Sequence, residues 1–225
     1  MPRKSFVKKL NSLNQKVTNM GIEVDLKIEQ TITAFQNIDL EVAKEVAESD
    51  NQIDQIEHQI EQFCMNLFAL EQPIASDLRM VAGCLKIITD IERVADQCAD
   101  ICEIITTGQI HEKTTEIKHL IEMLEAVHQM FHKAMDAFAS RNVDDAIWIC
   151  KNDDQIDAMF SKIVLEGCKN ITNNSENVMQ EVDLMFITKY IERMGDHCTN
   201  IAEWVIYMET GEHPDLNRKK EKGNE

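Results

Sequence analysis

A thirteen-residue segment occurs twice in this chain, one hundred residues apart, and no feature restricts the possible folds more. Ile91-Glu92-Arg93-Val94-Ala95-Asp96-Gln97-Cys98-Ala99-Asp100-Ile101-Cys102-Glu103 returns as Ile191-Glu192-Arg193-Met194-Gly195-Asp196-His197-Cys198-Thr199-Asn200-Ile201-Ala202-Glu203, with seven of the thirteen positions identical. Upstream, Asp50-Asn51-Gln52-Ile53-Asp54 matches Asp153-Asp154-Gln155-Ile156-Asp157 at an offset of 103. The same offset aligns Met20 with Met123, Phe35 with Phe138 and Ala43 with Ala146. The chain is therefore two copies of one unit, and the fall from 103 to 100 predicts a later interhelical turn three residues shorter than the one at Pro73.

Apolar residues step by three and four, the spacing of an amphipathic helix face. Phe6, Leu10, Leu13, Val17, Met20, Val24 and Ile28 form one such stripe. Ile53, Ile56, Ile60, Phe63, Leu67 and Leu70 form a second, and Cys84, Ile87, Ile91, Val94, Cys98, Ile101 and Ile105 a third. With only 7 Gly and 3 Pro among 225 residues, the turn chemistry of a β-sandwich, a barrel or a βαβ fold is missing. Breaks fall near 37–39, at Gln72–Pro73, at Gly108, near 140–142, at 173–175 and at Gly211. Pro73 suits the first turn of a helix, and Gly108 and Gly211 suit C-terminal caps. The expected fold is all-α: two tandem three-helix bundles, residues 1–108 and 109–213, with a polar tail over 214–225.

A formal net charge of −17 argues against nucleic-acid binding, which needs clustered Lys and Arg. The basic clusters at the ends (Arg3, Lys4, Lys8 and Lys9; Arg218, Lys219, Lys220 and Lys222) read as solvated tails. The uncharged run 62–70 is too short to span a bilayer, and the first residues lack the apolar stretch of a signal peptide. Seven Cys without such a signal imply reduced thiols and a cytoplasmic location.

The duplication preserves acidic pairs at i, i+4. They are Asp50/Asp54 and Asp153/Asp157 on the second helix of each unit, and Glu92/Asp96 and Glu192/Asp196 on the third. Residues four apart share a helix face, so each pair aims two carboxylates the same way. A lone pair of this kind in an acidic protein is a solvated face. Two features set these apart. Glu92 lies in line with Leu85 and Ala99 and beside Ile88, at the border of the apolar seam. The residue between each third-helix pair is small, Ala95 or Gly195, which leaves room for an approaching group. Carboxylates converging beside a core repel one another unless protons or a cation balance them. Oxygen-only ligation suits a hard or borderline cation such as Mg, Ca, Mn or Fe. The competing reading is neutralisation by Arg93 and Arg193.

The two thirteen-residue segments resemble the ERxxDHxxNIAE signature of the PhoU family, and the Gln72-Pro73-Ile74-Ala75-Ser76-Asp77-Leu78-Arg79 turn is similar to that family's first interhelical turn. Met20-Gly21 and the DxxID pairs also match, so the resemblance covers about residues 4–212. It implies a cytoplasmic, homodimeric, non-enzymatic regulator of phosphate uptake and phosphate-starvation signalling. Such proteins contact the ATPase subunit of the phosphate transporter and a sensor histidine kinase, and reach the membrane only through those partners. Some members hold iron or zinc clusters through E(D)xxxD motifs, which map here onto Asp50, Asp54, Glu92, Asp96, Asp153, Asp157, Glu192 and Asp196, with Asp100 and Asn200 as weaker candidates. Asp100 departs from the signature's Asn, and Gln97 from its His, so the two sites are expected to differ in charge or occupancy.

A carboxylate-bridged di-iron enzyme is the sharpest rival. It needs Glu-x-x-His on two helices, whereas Glu116-x-x-His119 and Glu125-x-x-His128 both lie on the fourth. These histidines and the i, i+4 pair His128/His132 read as surface residues. Cys98 and Cys102 read as core thiols and Met20, Met123 and Met194 as core fillers, while Trp148 and Trp204 belong to core or rim. A metal-free helical adaptor is the third reading.

Overall fold

The structure, a computed structural model, describes residues 2–110, 115–173, 177–212 and 214, except the side chains of Pro2, Arg3, Asp50 and Asn173. All of its regular structure is helical: α1 (Pro2–Asn37), α2 (Leu40–Glu48), α3 (Asp50–Glu71), α4 (Ala75–Thr106), α5 (Thr115–Ser140), α6 (Val143–Asn173) and α7 (Val178–Thr210). The expected second helix is interrupted at Ser49, whose hydroxyl donates to the Val46 carbonyl instead of leaving the helix ladder undisturbed. Its counterpart Asn152 sits inside an unbroken α6.

The first helix of each unit ends in the same way. Ile38 and Arg141, equivalent at the 103-residue offset, both adopt left-handed backbone, with φ of 54° and 57°. Asp39 N donates to the Ala34 carbonyl and Ile38 N to the Phe35 carbonyl; Asn142 and Arg141 repeat both bonds on Ala137 and Phe138. This Schellman pair of bonds satisfies carbonyls that the helix end would otherwise strand. Asp39 and Asn142 then cap the next helix, each side-chain oxygen accepting from the amides two and three residues on.

Elsewhere the turns depart from expectation. Pro73 precedes α4 instead of opening it: Ile74 occupies the N-cap and the helix starts at Ala75. α7 starts at Val178, the counterpart of Leu78, so the three-residue difference is taken up as the opening residues of α4. Lys4, Lys8 and Lys9 belong to α1, not to a tail, and Lys9 pairs with Glu71. Arg218, Lys219, Lys220 and Lys222, and all of the polar tail but Pro214, lie outside the described residues. Gly211 does close α7, in left-handed backbone at φ 80°.

The signature helices α4 and α7 form the centre of the molecule. α4 packs on α1, α2, α3 and α7, and α7 on α4, α5 and α6. Arg79 and Gly83 of α4 touch Met208, while Asp90 meets His197, so α4 and α7 run antiparallel. α1 and α5 do likewise, with Gly21 against Met135 and Gln36 bonded to Glu125. The two halves thus close side by side about an internal pseudo-twofold axis, over one continuous apolar core. The first and third stripes are buried almost throughout, as are Met20, Met123, Met194, Cys98, Cys102 and Cys198. Leu70, at the end of the second stripe, is exposed. Among the described residues no helix is long and apolar enough to cross a membrane.

Candidate metal centre

The carboxylates of the first unit converge where α3 lies on α4. Donor oxygens of Asp54, Glu92 and Asp96 fall within 4.8 Å of one another. The side chain of Asp50 lies outside the described residues. Glu57, one turn beyond Asp54, joins the same electrostatic group and accepts from Thr89 Oγ1 at 3.3 Å.

The Glu92 side chain is 19% exposed, and its Oε2 accepts no hydrogen bond among the described residues. An enclosed carboxylate oxygen without a donor disfavours ionisation. Burial, first, and the neighbouring Asp96, second, push the Glu92 carboxyl up to about 7; Asp54 and Glu57 add to this and Arg93 opposes it. Arg93 reaches Asp96 Oδ2 at 2.8 Å and stands 3.3 Å from Glu92 Oε2, but it is half exposed. A solvent-screened pair of that kind contributes little. It leaves the cluster only partly balanced.

In the second unit, α6 lies on α7. Asp196, though exposed, is raised to about 6 by partial desolvation first, then by Glu192 and Asp153, with Lys189 opposing and Asp157 adding. Lys189 pairs with Glu192, and Thr199 Oγ1 donates to Asp153 Oδ1 at 3.4 Å. The basic side chain against these carboxylates is therefore Lys189, not the Arg193 of the competing reading. Lys189 stands where the first unit has Thr89, and Phe160, under the Lys189 ammonium, stands where it has Glu57. Glu57 continues the acidic stripe of Asp50 and Asp54 and was legible as such; the duplication hid it, because its counterpart is aromatic.

The space beside Gly195 is not free for a ligand. A Cβ there would meet Ile156 Cγ2 of α6 at 3.3 Å, so the small residue admits the neighbouring helix. Asn200 lies apart from the carboxylates: with His197 it contacts Asp90 Oδ1 across the α4–α7 seam, at 3.0 Å and 2.8 Å. Asp100 acts on Tyr190 instead. The departure at Asp100 thus bears on the seam between the halves, while Gln97 is buried. His119 bonds Glu166 of α6 and His128 bonds Asp25 of α1, so the two Glu-x-x-His motifs face different helices and neither imidazole is a free surface group.

The first cluster fits a hard or borderline cation: oxygen donors on two adjacent helices, excess negative charge, and one enclosed oxygen lacking a donor. Among the described residues, Asp153, Asp157, Glu192 and Asp196 of the second unit do not bring three ligand oxygens within the same mutual distance. The thiols do not take part. Burial pushes Cys64 up to about 12 and Cys102 to about 11, far from the thiolate a soft metal needs.

The PhoU domain matches residues 17–105 and 120–205. A phosphate-specific transport system accessory protein PhoU homolog from Clostridium acetobutylicum is 34% identical over 220 residues, covering 96% of this chain and all of its own length. The accessory protein PhoU of Escherichia coli is 31% identical over 211 residues, 92% of this chain and 86% of its own. The crystal structure of the phosphate transport system regulatory protein PhoU from Streptococcus pneumoniae superposes with a TM-score of 0.87 at 28% identity, covering 93% of this chain and 99% of that one. PhoU from Pseudomonas aeruginosa superposes with a TM-score of 0.86 at 27% identity, covering 92% of this chain and all of that one.

Proposed function

The chain belongs to the PhoU family, and from this we propose that it is a non-enzymatic accessory protein of a phosphate-specific transport system. It regulates phosphate uptake and phosphate-starvation signalling by docking to the transporter's ATPase subunit and to a sensor histidine kinase. The observation that carries the reading is coverage: both repeats match the domain, and relatives named as accessory proteins align over nearly the whole chain. With a formal charge of −17, docking onto basic partner faces weakens as salt rises. Deleting the gene is expected to derepress phosphate-starvation genes at high phosphate. Unchanged expression and uptake would rule the role out.

In the same reading, Asp50, Asp54, Glu92 and Asp96, and Asp153, Asp157, Glu192 and Asp196, hold a metal ion or small cluster, iron or zinc, with Glu57 beside Asp54 in the first site. The metal would supply the positive charge that the carboxylates lack and lock α3 to α4 and α6 to α7. The test is elemental analysis after anaerobic purification. Asp96→Ala with Asp196→Ala should remove most of the bound metal. Undiminished content would refute these ligands while leaving the regulatory role standing, as a metal-free adaptor. Homodimerisation is tested separately, by light scattering.

A further inference from the structure

The α1–α5 contact gathers a second set of donors, apart from the carboxylate clusters. Asp25 and Glu29 stand four apart on α1, and His128 and His132 four apart on α5, so each helix turns two donors toward the other. Asp25 Oδ1 lies 3.1 Å from His128 Nε2 and 3.4 Å from His132 Nδ1. Ligand atoms of Asp25, Glu29 and His128 all fall within 4.8 Å of one another. Asp25 and His128 are largely enclosed, their side chains 22% and 20% exposed.

These positions are equivalents of one another. At the 103-residue offset Asp25 corresponds to His128 and Glu29 to His132, so the four residues surround the internal pseudo-twofold axis. Identical halves would set acid against acid here; this chain sets acid against imidazole. A His–Asp hydrogen bond accounts for His128 alone. His132, with its side chain 64% exposed, faces the same oxygen through Nδ1 without the alignment of a hydrogen bond, while its Nε2 stands 3.8 Å from Asp136 Oδ2.

A cation bonded at about 2.0–2.1 Å holds adjacent ligands about 2.8–3.0 Å apart in octahedral geometry and about 3.3–3.4 Å apart in tetrahedral geometry. The 3.4 Å from Asp25 to His132 matches the tetrahedral separation, and the 3.1 Å hydrogen bond to His128 is close to it. Two imidazoles with two carboxylates select a first-row transition cation over Mg or Ca, which prefer oxygen alone. We infer that Asp25, Glu29, His128 and His132 form a site for a divalent cation of the zinc type, clamping the two halves together at their pseudo-twofold axis.

The test is a cobalt(II) titration of the full chain after chelator treatment, read as visible absorption, followed by zinc(II) displacement. The unaltered chain should develop the band of imidazole-bound cobalt. His128→Gln with His132→Gln should abolish it and weaken zinc binding more than tenfold, with helix content unchanged by circular dichroism. Asp54→Asn with Asp96→Asn should retain the band, which separates this site from the carboxylate clusters. Should the double histidine change unfold the chain, Asp25→Asn with Glu29→Gln carries the same test, and an imidazole-bound cobalt band retained at full strength in that variant overturns the proposal. Absence of a band in the unaltered chain, or a band indifferent to both histidines, overturns it as well.

Discussion

Glu92 shows how a single carboxylate registers its surroundings. Burial, Asp96, Asp54 and Glu57 hold its proton in the folded state up to about 7 against the partial relief of Arg93, whereas the unfolded chain releases it at the ordinary carboxylate value of 4.5. Between those two pH values the native state binds more protons than the unfolded one, so the stability of the metal-free protein falls as pH rises through this window. Asp196, raised to about 6, acts in the same direction. Glu92→Gln should therefore flatten the decline and raise the melting temperature of chelator-treated protein at pH 7.5. A gain on the order of 1 kcal/mol moves Tm by about 2–4 °C in a chain of this size. Thermal melts from pH 5 to 8, with and without the substitution, measure it; a decline unchanged by the substitution would show that Glu92 is not its source.

At the scale of elements, the duplicated junction between the first and second helices does most to set the path of the chain. A left-handed residue, a Schellman pair and an Asx cap recur at Ile38–Asp39 and Arg141–Asn142. Removing one such cap costs about 1 kcal/mol, because two amides at a helix start lose their acceptor. Asp39→Ala and Asn142→Ala should each lower the unfolding free energy by about that amount in urea titrations, with unchanged m-value. The Asp39 change threatens more than stability, since α2 has only nine residues and ends at the Ser49 interruption. Such a short helix relies on its cap and on Ala43 and Val46 in the core.

For the whole molecule, the consequence of the side-by-side closure is that neither half is complete alone. α4 contributes to the first bundle and also meets α7, while α1 meets both α4 and α5. A fragment of residues 1–108 would expose the faces that Met135 and Met208 cover at Gly21 and Gly83. It should bind a hydrophobic dye and lose the sharp thermal transition of the full chain, which is expected to unfold as one unit over its continuous core. A monomeric fragment with a cooperative melt of its own would contradict this.

Six helical rods, their register and most of their ends are written locally. Periodicity of three and four needs only the helix itself, and duplication doubles every local signal, so Met20 and Met123, or Phe35 and Phe138, announce one another. The carboxylate pairs were legible for the same reason. What duplication could not reveal is whatever differs between the copies or lies between them: Glu57 beside Asp54, Lys189 in place of Arg193, the Ser49 interruption, and the seam where His197 and Asn200 turn to Asp90. The small residue at Gly195 reads in sequence as open space, and only packing shows Ile156 filling it. Spacing along a helix states which side chains share a face; which face meets which neighbour depends on contacts between residues about a hundred positions apart, and those exist only once α1 closes on α5 and α4 on α7.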